Sequence, residues 1–155
     1  MNYEMEKAVC FTGHRVIKRD FDRKILKDTI ENLIKEGYEV FLCGMALGFD
    51  TLCFKAINGL KNKYPHIKTV ACVPCANQSE TFGEKNKKVY ENLLRSADEV
   101  VILYPEYNDY CMKERDRYMV DNSSVCVSYI YRSSGGTYYT TKYAVEKGKK
   151  IIYIK

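Results

Sequence analysis

At 155 residues the chain is long enough for one domain with one good core. Its 46% hydrophobic and 29% charged residues exclude a disordered chain, and the net charge of +5 favours an anionic ligand. No cluster of Lys and Arg is dense enough to mark a nucleic-acid surface, so nucleic acid is not expected as a partner.

No apolar stretch reaches the roughly 20 residues that cross a bilayer, and Met1–Lys7 lacks the charged-then-apolar order of a signal peptide. A cytoplasmic protein without a membrane partner is expected. Seven cysteines, an odd number with several inside apolar strand patterns, read as reduced, buried thiols and not as a disulfide framework. Cys72 and Cys75 lack the second pair or the histidines that zinc needs, so neither metal nor cofactor is expected. The longest basic run, Lys85-Asn86-Lys87-Lys88, reads as the solvated face of a helix.

In chain order, residues 7–12 form a short apolar run ending at a glycine, as a buried strand does. Residues 21–36 place Ile25, Leu26, Ile30, Leu33 and Ile34 at helical spacing, with Gly37 as a stop. Strands follow at 38–43, 68–73, 98–103, 125–131 and 150–154, and helices at 49–60, 79–96, 110–122 and 137–147. Connections of this length exclude hairpins and predict an α/β fold. The expected form is a single Rossmann-like doubly wound domain over 1–155, a mostly parallel sheet of about six strands with helices on both faces.

In such sheets ligands bind beyond the carboxyl ends of the strands. The unusual residues fall there, turn after turn: Thr12-Gly13-His14-Arg15, then Gly44 to Asp50, then Pro74 to Gln78, then Ser133 to Thr137. Gly44 and Gly48 precede one helix and Gly135 and Gly136 another, where bare backbone and free helix N–H groups suit an anion. His14 and Arg15 suit a phosphate or ribose. Asp50 reads equally as a charge complementing a helix dipole or as an acceptor for a ribose hydroxyl. Tyr104, Tyr107 and Tyr110 offer rings for a base or for a subunit interface.

Five segments in order carry a resemblance over nearly the whole chain: F-T-G-H-R at 11–15, G-M-A-L-G-F-D at 44–50, P-C-A-N-Q at 74–78, R-D-R-Y-M-V-D-N-S at 115–123 and G-G-T-Y-Y-T at 135–140. Together they resemble the YpsA-like branch of the SLOG superfamily, the Rossmann-like group that includes DprA/Smf and LOG proteins. The resemblance implies a nucleotide-type ligand at the glycine turns. Carried over by position, the pocket residues are Thr12, Gly13, His14, Arg15, Gly44, Gly48, Asp50, Gln78, Arg115, Met119, Asp121, Ser123, Gly135, Gly136, Thr137 and Thr140.

LOG hydrolases carry P-G-G-x-G-T-x-x-E, whose glutamate assists glycosidic cleavage. The segment from Ser134 to Thr141 lacks the proline, the spaced glycine and the glutamate, and Asp116 stands where the family usually has Asn. Thr137 and Thr140 bond phosphate but do not replace a carboxylate. No catalytic residue is therefore expected. The chain reads as a sensor or sequestering protein for an ADP-ribose-derived or cyclic-nucleotide signal, as in antiviral signalling. The alternative is a nucleotide N-glycosidase using Asp50 or Asp121. A homo-oligomer is expected, packed through 104–110 and Tyr129 and Tyr131.

Overall fold

The structure, a computed structural model, describes residues 4–155. Met1–Tyr3, part of the stretch compared with a leader, lie outside the described residues. Strands and helices alternate: β1 (Ala8–Gly13), α1 (Arg23–Lys35), β2 (Val40–Cys43), α2 (Phe49–Leu60), β3 (Lys68–Cys75), α3 (Glu84–Ser96), β4 (Glu99–Tyr104), α4 (Cys111–Asp121), β5 (Val125–Tyr129), α5 (Gly136–Glu146) and β6 (Lys150–Tyr153). All six strands run parallel in the order β4-β3-β2-β1-β5-β6. The Rossmann-like α/β expectation holds. No helix among the described residues is long and apolar enough to cross a membrane.

Strand side chains alternate between faces, and the two apolar layers follow that alternation. Val9 and Phe11 of β1, Phe41 and Cys43 of β2, and Ala71 and Val73 of β3 join Leu26, Ile30 and Leu33 of α1 and Phe54 and Ile57 of α2. Ala8, Cys10, Val40, Leu42, Val70 and Cys72 meet Met119 and Val120 of α4 and Ala144 of α5 on the other face. Strands covered on both sides must be apolar throughout, which is why β1, β2 and β5 read as continuous apolar runs. All seven cysteines are buried and reduced in these layers or at their ends.

Several boundaries move for local reasons. α1 starts at Arg23 because the Asp22 side chain accepts the Lys24 backbone N–H at 2.9 Å and caps it. The helix expected from 79 to 96 divides into a 3₁₀ turn, Gln78–Thr81, and α3. Between them Phe82 takes an extended backbone, and its ring packs edge-on against Tyr90 with centroids 5.5 Å apart. β3 runs on to Cys75, which pairs with Tyr104. β5 stops at Tyr129, where the chain turns over the end of β1.

The order reverses beside β1. β1 to β4 proceed outward in one direction, and the chain then crosses back to lay β5 on the free side of β1. Gly13, the last residue of β1, lies opposite Tyr129, the last of β5. The loops leaving these two strands separate at that point, and a crevice opens between them.

Candidate functional site

A cleft of about 470 Å³ occupies this switch point. Thr12 to Val16 from the end of β1 form one wall, Tyr131 and Arg132 with Gly136 and Thr137 the second, and Ala46 and Asp50 with Met112, Arg115 and Asp116 of α4 the rest.

α5 points its amino end into the cleft. Its N-cap, Gly135, has φ +89 and supplies no side-chain cap, so the first N–H groups of the helix are left without intrahelical or capping partners. A side chain at Gly136 would meet nothing within 4 Å, so its absence leaves this backbone open to a ligand. Arg15 and Arg132 line the same cleft, are exposed, and have no carboxylate partner among the described residues. A free helix N-terminus between two arginines is an arrangement for a phosphate.

His14 is buried, at 4% exposure, with its ring 4.0 Å from that of Tyr131. Burial lowers its pKa, and the charges of Arg132 and Lys18 lower it further, so the imidazole is neutral at pH 7. Its Nε2 accepts the Tyr131 backbone N–H at 3.2 Å, which leaves the proton on Nδ1. A neutral donor beside two cations suits a ligand oxygen.

Beneath the cleft lies a buried charge cluster. The Arg115 guanidinium bonds Asp116 at 2.7 Å through Nε and donates to the Gly44 carbonyl. Burial works against this cation, but Asp116 and Asp50 outweigh that and raise its pKa. A Cβ on Gly44 would lie 2.9 Å from both the Arg115 guanidinium and the Asp50 carboxylate, so only glycine leaves room for them. Asp50 accepts the Ala46 backbone N–H at 3.1 Å. Burial pushes its pKa up to about 6, against the pull of Arg115. The Thr140 hydroxyl sits 2.9 Å from both the Asp116 carboxylate and the Gly136 carbonyl, tying α5 to α4.

Of the residues expected at a pocket, Thr12, Gly13, His14, Arg15, Asp50, Arg115, Gly136 and Thr137 line the cleft together. Gly44, Gly48, Gly135 and Thr140 shape it from beneath or beside. Gln78 bridges, donating to the Met45 carbonyl at 3.2 Å and accepting from the Tyr90 hydroxyl at 3.0 Å. Met119, Asp121 and Ser123 lie elsewhere, because α4 runs away from the carboxyl edge and only its first turns face the cleft. Met119 is core, Asp121 bonds the Tyr143 hydroxyl at 2.7 Å on the outer surface, and Ser123 is buried just before β5. Asp121 is thus too far along α4 to act as a carboxylate in this cleft.

Arg132, Tyr131 and Met112 line the cleft without having been expected there. Arg132 had a signal, a lone basic residue directly before the Ser-Ser-Gly-Gly turn. Tyr131 was assigned to a strand and an interface. It closes over His14 instead, and its hydroxyl bonds the Val16 carbonyl at 2.9 Å. Tyr129 is 4% exposed, with its ring among Phe21, Phe49 and His14, and presents no surface to another subunit. Tyr107 and Tyr110 are exposed but line no part of this cleft.

The YpsA model, described as the YspA SLOG family, matches residues 10–154. The SPbeta prophage-derived protein YoqJ of Bacillus subtilis is 29% identical over 133 residues, covering 78% of each chain. The UPF0398 protein YpsA of the same organism is 26% identical over 129 residues, covering 76% of this chain and 72% of that one. Among solved structures, DNA processing protein A from Streptococcus pneumoniae superposes with a TM-score of 0.69 at 20% identity. The overlap takes in 94% of this chain, which spans about half (49%) of that protein. A structure of the single-stranded DNA binding mode of the Helicobacter pylori protein superposes with a TM-score of 0.64 at 19% identity, covering 94% of this chain and 64% of that one. The expectation that nucleic acid is not a partner is corrected by this likeness: the same fold binds single-stranded DNA in the Helicobacter protein, so the absence of a basic stripe was no ground for exclusion. A match over residues 10–154, with the fold shared, places the chain in the YpsA family of the SLOG superfamily.

Proposed function

We propose that the chain binds a phosphate-containing nucleotide in the switch-point cleft, as a signal of the ADP-ribose or cyclic-nucleotide type. The observation that carries this reading is the uncapped amino end of α5 beside Arg15 and Arg132, which make no ion pair among the described residues. Neutral His14 would donate Nδ1–H to a ligand oxygen. Binding without cleavage is favoured because the hydrolase glutamate is missing from the α5 turn and Asp121 lies outside the cleft. Calorimetry with AMP, cyclic AMP and ADP-ribose tests the reading. At least one should bind, and Arg132→Ala should weaken it about tenfold or more, the worth of a charge-assisted hydrogen bond. Failure of all three to bind would reject it.

A second reading is single-stranded DNA, favoured by the fold shared with the Helicobacter protein. Its mark would be affinity for an oligonucleotide that falls steeply with salt, and that competes with the nucleotide for Arg132.

A further inference from the structure

Behind Arg15 and Asp50 a second cleft opens, about 380 Å³, between the start of α2 and the side of α3. The same two residues line the switch-point cleft, so they stand as a divide between two chambers. The chambers offer different groups. The first has a helix amino end, arginines and a histidine. The second adds Met45, Leu47, Val89 and Leu93, with Arg23 as a cation of its own.

The second chamber is held in shape. Gln78 ties the Met45 carbonyl to the Tyr90 hydroxyl, fixing the loop after β2 against α3. Met45 has φ +66, alone among the described non-glycine residues in having a positive φ. Strain of this kind persists only where its surroundings hold it.

We infer that the two clefts form one site for a two-ended ligand, a nucleoside diphosphate joined to a second nucleoside. The inference rests on the nucleotide reading of the first cleft. Each chamber is within the roughly 300–1,000 Å³ of small-molecule pockets. One nucleotide fills the first, with its phosphate at α5. The second phosphate crosses the divide beside Arg15, which makes no ion pair among the described residues, and meets Arg23 beyond it. Asp50, at the divide, accepts a ribose hydroxyl. The second base lies in the second chamber against Leu47 and Val89, where its ring displaces water.

The test is calorimetry with AMP and with diadenosine diphosphate, on the parent chain and on two variants. Asn86 is exposed on α3 and lines only the second cleft, as does Leu47 on the loop. Asn86→Trp and Leu47→Trp each fill that chamber. The parent should bind diadenosine diphosphate about tenfold or more tighter than AMP. Either variant should bring the dinucleotide down to the affinity of AMP while AMP itself stays within about twofold, which also reports an intact first cleft. Equal affinities in the parent, or a dinucleotide preference that survives both tryptophans, would overturn the two-chamber site and leave the nucleotide reading standing. No binding of either ligand to the parent would also overturn the two-chamber site, and the nucleotide reading would fall with it only if cyclic AMP and ADP-ribose failed to bind as well.

Discussion

Asp50 is the residue of the cleft at which burial most directly sets stability. Its folded pKa of about 6 lies above the ordinary 3.8, because burial penalises the carboxylate. The stability contributed by its proton is therefore complete below about pH 4 and lost as pH rises through 6. Replacement by Asn removes that penalty. Relative to the parent, Asp50→Asn should gain up to about 3 kcal/mol between pH 4 and pH 7, read from denaturant unfolding at both pH values. A gap independent of pH would show that Arg115 pairs with an ionised Asp50 at no net cost. Much of this residue-level picture was readable beforehand. The F-T-G-H-R and G-M-A-L-G-F-D segments named His14, Arg15 and Asp50, and all three line the cleft. Tyr131 was missed because a strand that ends at Tyr129 was extended two residues too far, and Arg132 because it stood between that strand and the glycine turn.

At the scale of elements, the site depends on how three strand-to-helix turns are packed. Gly48 has φ +84, and a Cβ there would run into the Arg15 backbone; a Cβ on Gly13 would enter the Phe49 ring. These glycines let the turns after β1 and β2 touch, with Phe49 donating its N–H to the His14 carbonyl at 3.1 Å. Gly136 differs, since open space surrounds it and its φ is not positive. Gly48→Ala should cost about 2–4 kcal/mol in chemical unfolding, from the left-handed backbone and the clash together. Gly136→Ala should leave stability within about 0.5 kcal/mol yet weaken nucleotide binding, because the methyl would stand where a phosphate approaches. Loss of stability at Gly136, or unchanged binding, would remove that turn from the site. Glycine content alone does not tell these two uses apart. The distinction is tertiary, set by what lies opposite each Cα.

At the scale of the molecule, the alternation of strands and helices foretold the architecture, because parallel strands covered on both faces must be apolar along their length. The position of the cleft followed from the same logic, since parallel strands bring all their carboxyl ends to one edge. What did not follow was the phase of α4. The R-D-R-Y-M-V-D-N-S segment contributes Arg115 and Asp116 at the cleft, but by Met119 the helix has turned into the core, and Asp121 and Ser123 lie progressively further from the carboxyl edge. A motif in sequence is one stripe, whereas an α-helix distributes it around an axis and carries it 1.5 Å away per residue. The exclusion of nucleic acid failed because the lack of a dense Lys and Arg cluster in a sequence is no ground for it: the same fold binds single-stranded DNA in the Helicobacter protein.

The central claim is that α5 receives a nucleotide phosphate. Backbone amide chemical shifts followed by NMR during titration with ADP-ribose test it at the atoms concerned. The largest changes should fall on Gly136, Thr137 and Tyr138, with Arg132 and His14 next. Changes confined to other surfaces, or none at all, would contradict it.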